Sequence, residues 1–227
     1  MSNRVDFDDY TENYNKLLAD STRFFSASEE YFARYKVDVV RRQVSGTVGR
    51  VTEYGCGIGR NVPFLQRAFP GAVVTGSDIS GASLDIARRD NPGVLFFQEG
   101  ADPAPAEPVD VEFVAGVFHH VPLAERRGVA RTLFDRLVPG GRVFVFEHNP
   151  YNPVTRRIVS NCPYDEDAVL LPPAELIGLL EGAGFAVERR AYCLFVPPRL
   201  AALAGLERVL GWLPLGGQYW VQARRPE

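Results

Sequence analysis

Three glycines at alternate positions constrain this chain more than any other feature. They lie in "VTEYGCGIGR", residues 51–60, after a short β-rich run and before a helical pattern. Glycine weakens a strand or a helix unless the backbone needs positive φ or a ligand approaches it closely. A strand, a glycine turn and a helix together present free backbone N–H groups to a nucleotide-like ligand. The stretch therefore predicts a ligand-binding turn at the start of a βα unit.

Short β-rich runs alternate with helical patterns over residues 50–148. The runs read "RVTEYG", "AVVTGSD", "VLFFQ", "VDVEFVAGV" and "GRVFVFEH", and the helical segments "NVPFLQRAF", "ASLDIARRD" and "LAERRGVARTLFDRL". This alternation predicts parallel strands joined by right-handed helical crossovers, an α/β sheet with helices on both faces. Residues 5–45 have apolar residues at helical spacing, which predicts an N-terminal helical cap.

The C-terminal third departs from strict alternation. "PAELIGLLEGAGF" and "RLAALAGLERVLGWL" have helical patterns, whereas "AVERRAYCLFV" and "GQYWVQARR" are strand candidates. Nothing in the composition marks a domain boundary. We therefore expect a single domain over residues 1–227, with the helical cap at 1–48, a cofactor-binding core at 49–150 and a substrate-side part at 151–227.

Composition and charge exclude several classes of function. The 227 residues are 46% hydrophobic and carry a formal net charge of −3, which gives no general attraction to nucleic acid or to an anionic membrane. No apolar run approaches the roughly 18 to 20 residues that span a bilayer, and the polar N-terminus is unlike a secretory signal. The three cysteines are widely spaced, so they predict neither a disulfide framework nor a zinc site. We expect a cytoplasmic protein with no membrane span and no nucleic-acid partner.

An aspartate at the end of the second predicted strand adds to the glycine signal. Asp78 in "VTGSDIS" lies about one βαβ unit after Glu53, where a carboxylate can accept hydrogen bonds from both hydroxyls of a ribose. The glycines at 55, 57 and 59 differ from the GxGxxG spacing of dinucleotide-binding proteins. This spacing argues against one alternative, a nicotinamide-dependent oxidoreductase.

These motifs resemble those of the class I S-adenosylmethionine-dependent methyltransferases, in particular the small-molecule type. "VTEYGCGIG" is similar to the first motif of that family, "VTGSDIS" to its ribose-binding acidic motif, "VDVEFVAGVFHHVP" to its fourth-strand motif and "LVPGGRVFVFEH" to the stretch that enters its fifth strand. The resemblance implies a Rossmann-like, seven-stranded, mostly parallel sheet of order 3-2-1-4-5-7-6 with strand 7 antiparallel. The helical segment between strands 6 and 7 would be an insertion.

The same resemblance implies a site for S-adenosylmethionine, whose product is S-adenosylhomocysteine. Glu53 would lie near the ammonium group, Asp78 would hold the ribose hydroxyls, and Ile79 would pack on the adenine. The other implied contacts are Gly55, Gly57 and Gly59 at the methionine and ribose end, Gly100 and Ala101 at the adenine edge, and Ala115 and Gly116 beside the methionine portion. The family often has an aspartate near the adenine edge, a role that Glu99 or Asp102 could fill.

Candidate catalytic residues follow the fourth and fifth predicted strands. They are His119, His120, Glu147 and His148. An imidazole near the methyl group can accept a proton from the acceptor, and Glu147 would lie behind the histidines. The alternative is that the histidine pair packs locally at the strand end. We expect no metal, because His148 is the only histidine outside that pair.

Four further residues are candidates for the acceptor site. Tyr10 and Tyr14 lie on a helix that resembles the lid of small-molecule methyltransferases, although a buried helix stripe explains them equally well. Asn149 and Arg156 follow the fifth strand, where ligands bind in open α/β sheets; Asn-Pro turns and a solvated helix start are the alternatives. The acidic run "YDEDA", residues 164–168, could attract a cationic amine or simply open a helix.

The sequence therefore predicts a methyltransferase that acts on an oxygen, nitrogen or carbon atom of a small molecule. A sugar, a lipid-linked intermediate and a secondary metabolite are all compatible acceptors, and so is assembly as a homodimer. The alternative from another class is a non-catalytic protein that binds S-adenosylmethionine or S-adenosylhomocysteine.

Overall fold

Seven strands form one sheet in the part of the chain that a computed structural model describes, which is residues 29–196, 205 and 207–227. The strands are β1 Arg50–Tyr54, β2 Val73–Asp78, β3 Leu95–Gln98, β4 Val109–Ala115, β5 Leu137–His148, β6 Ala186–Cys193 and β7 Gln218–Arg224. Their order is β3-β2-β1-β4-β5-β7-β6. Strands β1 to β5 are parallel, and β7 is antiparallel to both of its neighbours. The predicted order and the antiparallel seventh strand are confirmed.

Helices cover both faces of the sheet, as the alternation predicts. They are α1 Glu29–Gln43, α2 Val62–Ala68, α3 Gly81–Asp90, α4 Arg126–Arg136, α5 Pro153–Ser160, α6 Pro173–Gly182 and α7 Glu207–Leu210, with a 3-10 turn at Pro163–Asp165. Apolar residues of α1, α2 and α3 pack on one face of the sheet, and those of α4 and α6 on the other. Of the predicted helix between strands 6 and 7, α7 lies within the described residues, and most of the segment before it lies outside them.

Strand β5 explains why the central runs are continuously apolar. Phe144 and Phe146 pack on the face covered by α1 to α3, and Val143 and Val145 pack on the face covered by α4 and α6. Successive side chains of a strand point to opposite faces, so a strand buried on both faces shows no alternation of polar and apolar residues.

The start of β5 differs from the prediction. The run "GRVFVFEH" predicts a strand from residue 141, yet β5 begins at Leu137, which pairs with Val109 before the register shifts to Val111 and Arg142. Gly140 has a φ of 82°, a conformation that glycine adopts readily. The Pro-Gly-Gly sequence, which reads as a turn, is therefore an irregularity inside the strand.

One carboxylate joins α1 to the segment that follows β6. The side chain of Glu207 accepts backbone N–H groups of Leu194, Phe195 and Val196 at 3.0, 2.9 and 3.0 Å, and it also accepts the hydroxyl of Tyr35. This network holds α1 and α7 together at the carboxyl end of β6.

No helix within the described residues is long and apolar enough to cross a membrane.

A second carboxylate lies inside the sheet without a partner. Glu112 of β4 is fully buried, and neither of its oxygens has a hydrogen-bond partner among the described residues. Burial raises its pKa to about 8, and the guanidinium of Arg136 opposes this shift. That guanidinium is already bound to Glu99 through two hydrogen bonds of 2.8 and 2.9 Å. The side chain of Glu112 is therefore mostly protonated at neutral pH.

We predict that Glu112 makes the fold less stable as pH rises from about 5 to about 8. The folded chain keeps the proton up to a pKa of about 8, whereas the unfolded chain releases it near 4.5. Folding thus binds a proton in this window, and each pH unit removes up to ~1.4 kcal/mol of stability. Glu112→Gln should lack this pH dependence. Its free energy of unfolding in urea should therefore increase relative to that of the wild type as pH rises.

The control is Glu181→Gln, which neutralises an exposed carboxylate of α6. Its unfolding free energy should follow that of the wild type at every pH. A difference between Glu112→Gln and the wild type that stays constant with pH would contradict the prediction.

Candidate active site

A cavity at the carboxyl end of the sheet contains most of the predicted cofactor and catalytic residues. Its volume is about 370 Å³, a usual size for a small-molecule site. The cofactor candidates that line it are Glu53, Gly55, Gly57, Asp78, Ile79, Ala115 and Gly116, and the catalytic candidates are His119, His120 and His148. The fold therefore brings together two groups of residues that were predicted from separate motifs.

The glycine loop after β1 has positive φ at Gly55, Gly57 and Gly59, with values of 69°, 51° and 76°. An added Cβ would lie 2.3 Å from Val117 at Gly55 and 2.8 Å from Asn91 at Gly59. At Gly57 an added Cβ would meet no atom within 4 Å, and this residue lines the cavity. Gly57 therefore leaves space for a ligand, whereas Gly59 serves the turn and is not among the lining residues.

Asp78 connects the end of β2 to the glycine loop. Its Oδ2 accepts the N–H of Gly57 at 2.7 Å, and its Oδ1 accepts the N–H of Ser80 at 2.9 Å. Each carboxylate oxygen has a second lone pair, so Asp78 can also accept hydrogen bonds from a ligand. The next residue, Ile79, lines the cavity and is 47% exposed, which offers an apolar surface to a flat ring.

Glu53 of β1 presents an unused acceptor to the cavity. Asn61 donates to its Oε1, while its Oε2 is buried and has no hydrogen-bond partner among the described residues. Burial raises the pKa of Glu53 to about 8, although the bond from Asn61 and the charge on Lys36 oppose the shift. An ammonium group of a ligand would satisfy Oε2 and stabilise the ionised carboxylate. The described residues fit S-adenosylmethionine: Glu53 can bind its amino group, the glycine loop has no side chain that would block it, and Asp78 can bind its ribose.

The adenine edge is less clearly formed. Glu99 lines the cavity, but both of its oxygens accept hydrogen bonds from Arg136. Asp102 accepts a backbone N–H of β3 at 2.8 Å. Gly100 and Ala101 are not among the lining residues, so their contact with adenine stays a prediction.

Glu147 of β5 holds the turn after β4 and the ring of His119. Its Oε1 accepts the N–H groups of Val117 and Phe118 at 3.1 and 2.7 Å, and its Oε2 lies 2.6 Å from Nδ1 of His119. Glu147 is fully buried and is not among the residues that line the cavity. It therefore orients the turn after β4 and the imidazole of His119, and its part in catalysis stays a prediction.

Asp165, on the 3-10 turn, faces both histidines of the pair. Its Oδ1 lies 3.7 Å from Nε2 of His119 and 3.3 Å from Nε2 of His120. Burial opposes a charge on His119, but the carboxylates of Glu147 and Asp165 outweigh it and raise the pKa of His119 to about 9. Burial and the charge on His119 lower the pKa of His120. The same two causes lower the pKa of His148 to about 4. His148 is therefore a neutral imidazole in the cavity wall.

Of the predicted acceptor residues, the two that the structure describes, Asn149 and Arg156, do not line the cavity. Asn149 is fully buried; its amide donates to two backbone carbonyls of the loop before β7 at 3.0 and 2.7 Å, which is the structural role that an Asn-Pro turn implies. Arg156 lies on α5 with an exposed side chain, and its contact with an acceptor stays a prediction. Tyr10 and Tyr14 lie outside the described residues.

Sequence reasoning missed Lys36 and the role of Asp165. Lys36 lines the cavity from α1, and burial lowers its pKa while the charges around it, including Glu53, oppose the shift. It is one of two lysines among 25 basic residues, a rarity that could have marked it. Asp165 belongs to the run "YDEDA", in which composition alone does not distinguish the buried acid from the exposed ones.

The sheet order and the carboxylate-anchored glycine loop define the class I methyltransferase fold. Residues 51–141 match the methyltransferase domain family, which confirms the resemblance carried by the four motifs. Residues 51–141 thus have the sequence of a methyltransferase domain, and the sheet has the fold of class I S-adenosylmethionine-dependent methyltransferases. This similarity implies S-adenosylmethionine as the methyl donor.

Two relatives are trans-aconitate 2-methyltransferases. The protein of Paracidovorax citrulli is 28% identical over 139 residues, which cover 58% of this chain and 52% of that protein. The protein of Rhodopseudomonas palustris is 39% identical over 93 residues, which cover 40% and 36%. The chain thus matches about half or less of the length of these curated relatives. An S-adenosylmethionine-dependent methyltransferase from Archaeoglobus fulgidus shares the fold, with a TM-score of 0.69 at 14% identity over 93% of this chain and 99% of that chain.

We predict that Gly57→Ala weakens binding of S-adenosylhomocysteine by about 10-fold or more, equivalent to about 1.4 kcal/mol. The matched control is Gly93→Ala. Both glycines have positive φ, 51° and 85°, and an added Cβ at either meets no atom within 4 Å, so the backbone cost is similar, about 1–2 kcal/mol. Of the two, Gly57 is the one that lines the cavity. Calorimetric titration measures the affinity for S-adenosylhomocysteine, and thermal unfolding measures the stability of both variants. Equal losses of affinity in the two variants would show that backbone strain, and not lost ligand space, causes the effect.

Asp78→Ala is expected to weaken S-adenosylhomocysteine binding by about 100-fold, because hydrogen bonds to a charged group contribute about 1.5–3 kcal/mol each. Asp110→Ala is the control, since Asp110 also accepts two backbone N–H groups, those of Gly49 and Arg50 at 2.8 Å each. Asp110 lies on β4 beside the first residue of β1, at the end of β1 that is opposite to the glycine loop. The same titration should therefore show unchanged affinity for Asp110→Ala, and similar affinities of the two variants would refute the ribose role of Asp78.

Proposed function

We propose that the protein transfers the methyl group of S-adenosylmethionine to a hydroxyl oxygen of a small, uncharged acceptor. The observation that carries this proposal is the shared cavity, which joins the cofactor residues Glu53, Gly57 and Asp78 to the histidine wall. S-adenosylhomocysteine would be the second product. The acceptor would lie between the cofactor and the histidines, at the carboxyl ends of β4 and β5, where open α/β sheets bind their ligands.

The charges of the cavity wall favour an uncharged acceptor. The acidic residues among the described lining are Glu53, Asp78, Glu99, Glu125 and Asp165, and the basic ones are Lys36 and Arg60. Glu53 and Asp78 are assigned to the cofactor, which leaves Asp165 beside the histidines at the acceptor end. The charge of His119, whose pKa is about 9, offsets that of Asp165, so this end of the wall has no excess of positive charge to attract a polycarboxylate. Trans-aconitate, which the two relatives methylate according to their names, is therefore a poor candidate for this chain.

A neutral hydroxyl must release its proton when its oxygen gains the methyl group. S-adenosylmethionine supplies an electrophilic methyl carbon, so the protein has to place the oxygen about 3 Å from it, exclude water and receive the proton. His148 is the imidazole best placed for this, because it lines the cavity and forms no ion pair with a carboxylate of the described residues. His119 and His120 both face Asp165 instead.

The test is turnover with S-adenosylmethionine, measured as S-adenosylhomocysteine formed per chain. The acceptor panel pairs neutral hydroxyl compounds, such as phenols and sugars, with their carboxylated counterparts and includes trans-aconitate. We expect methyl transfer to neutral members and none to trans-aconitate. His148→Ala should lower kcat by about 10²–10⁴-fold while the affinity for S-adenosylhomocysteine is unchanged.

His148→Gln serves as the matched variant, since its amide can accept a hydrogen bond but cannot take up a proton. A KM near the wild-type value with a kcat as low as that of His148→Ala supports proton transfer to His148, whereas a restored kcat would reduce His148 to orienting the acceptor. Binding of S-adenosylhomocysteine without turnover on any acceptor would favour the non-catalytic alternative.

The cytoplasmic location, the homodimer and the division into cap, core and substrate-side part stay predictions.

A further inference from the structure

We propose that His119, His120 and Asp165 form a site for a divalent transition-metal ion at the acceptor end of the cavity. One ligand atom from each of the three side chains lies within 4.8 Å of the other two. Bonds of about 2.0–2.2 Å from a tetrahedral zinc ion to nitrogen and oxygen place neighbouring ligand atoms roughly 3.3–3.5 Å apart. The separations from Asp165 Oδ1, 3.3 Å to His120 and 3.7 Å to His119, are close to that spacing.

The surroundings of His119 are those of a metal ligand. Nδ1 of His119 lies 2.6 Å from Glu147, so this nitrogen donates to the carboxylate and leaves Nε2 facing Asp165. Histidines that bind metals usually donate their second ring nitrogen in this way, which fixes the tautomer and the orientation of the ring. Glu147 is itself held by the backbone N–H groups of Val117 and Phe118. The ring orientation is thus fixed before any ion binds, and an ion at Nε2 displaces the proton that this nitrogen carries when the imidazole is charged.

The charges of the cluster favour a cation. Glu147 and Asp165 bring two carboxylates to His119, and no lysine or arginine of the described residues forms an ion pair with either of them. Imidazole nitrogens combined with one carboxylate suit zinc, iron, nickel or copper, whereas magnesium and calcium prefer oxygen ligands. The sequence-based expectation of no metal considered the histidines alone. Asp165, which is 46 residues beyond His119, supplies the third ligand once the chain has folded.

Three protein ligands leave a coordination position open, as in catalytic zinc sites. All three side chains line the cavity, so an oxygen of the acceptor can reach that position. A cation there lowers the pKa of a hydroxyl that binds it, and the proton leaves more readily. This use of the open position rests on the proposed methyl transfer, whereas the cation site itself does not.

The test is metal binding by the untagged full-length chain. After treatment with a chelator and dialysis, the protein is titrated with Zn²⁺ by calorimetry, and the retained metal is measured by mass spectrometry. We expect about one ion per chain, and the visible absorption of a four- or five-coordinate ion when Co²⁺ replaces Zn²⁺. Asp165→Asn and His120→Gln should each weaken Zn²⁺ binding by about 10–100-fold or more.

Glu166→Gln is the matched control, because it removes the same charge from the neighbouring exposed residue and should leave Zn²⁺ binding unchanged. Clearly substoichiometric zinc in the wild type, or equal affinities of Asp165→Asn and Glu166→Gln, would overturn the site. Thermal unfolding in chelator shows whether each variant folds; if Asp165→Asn does not, His120→Gln provides the comparison.

A titration of the metal-free wild type with S-adenosylhomocysteine separates the two proposals. Binding of this nucleoside by a chain that takes up no zinc overturns the metal site and leaves the proposed function intact. Zinc uptake by a chain that does not bind the nucleoside overturns the proposed function and supports the metal site.

Discussion

Two hydrogen bonds to the carboxylate of Asp78 hold the cofactor end of the cavity in shape. They come from the backbone of Gly57, in the loop after β1, and from Ser80, at the start of α3. Strands β1 and β2 are parallel neighbours, with Tyr54 opposite Ser77, so the two loops emerge side by side at one edge of the sheet. A single side chain therefore joins both loops and directs the open face of the glycine turn into the cavity. The buried, half-satisfied carboxylate of Glu53 completes the same wall.

The features that the sequence predicts well are those encoded within one βαβ unit. The glycine loop and Asp78 are local motifs, and parallel pairing of adjacent strands brings them together without further information. The order of the seven strands is different, because periodicity does not distinguish one order from another; it was predicted through the family resemblance. The early start of β5 was missed because "LVPGG" reads as a turn. Pairing of Leu137 with Val109 outweighs that local preference.

The acceptor end could not be predicted because distant parts of the chain build it. Lys36 comes from α1, His119 from the turn after β4, and Asp165 from the turn after α5. Hydrophobic periodicity and short motifs carry no information about such encounters. Asn149 shows the opposite case, a residue at the expected strand end whose amide is fully used by the neighbouring loop. Glu112 interrupts an apolar strand, and its pattern alone gives no sign that the carboxyl is buried without a partner.

The two ends of the cavity therefore follow different physical constraints. The cofactor end depends on backbone geometry and on two carboxylates, so a side chain at Gly57 fills open space and the loss of the Asp78 carboxylate removes two hydrogen bonds. The acceptor end depends on side chains carried by segments after β4 and β5, which can be exchanged while the sheet and the glycine loop stay as they are. The family match ends at residue 141, before His148 and Asp165. The residues assigned to the methyl donor thus lie within the stretch that matches the family, while His148 and Asp165 at the acceptor end lie beyond it.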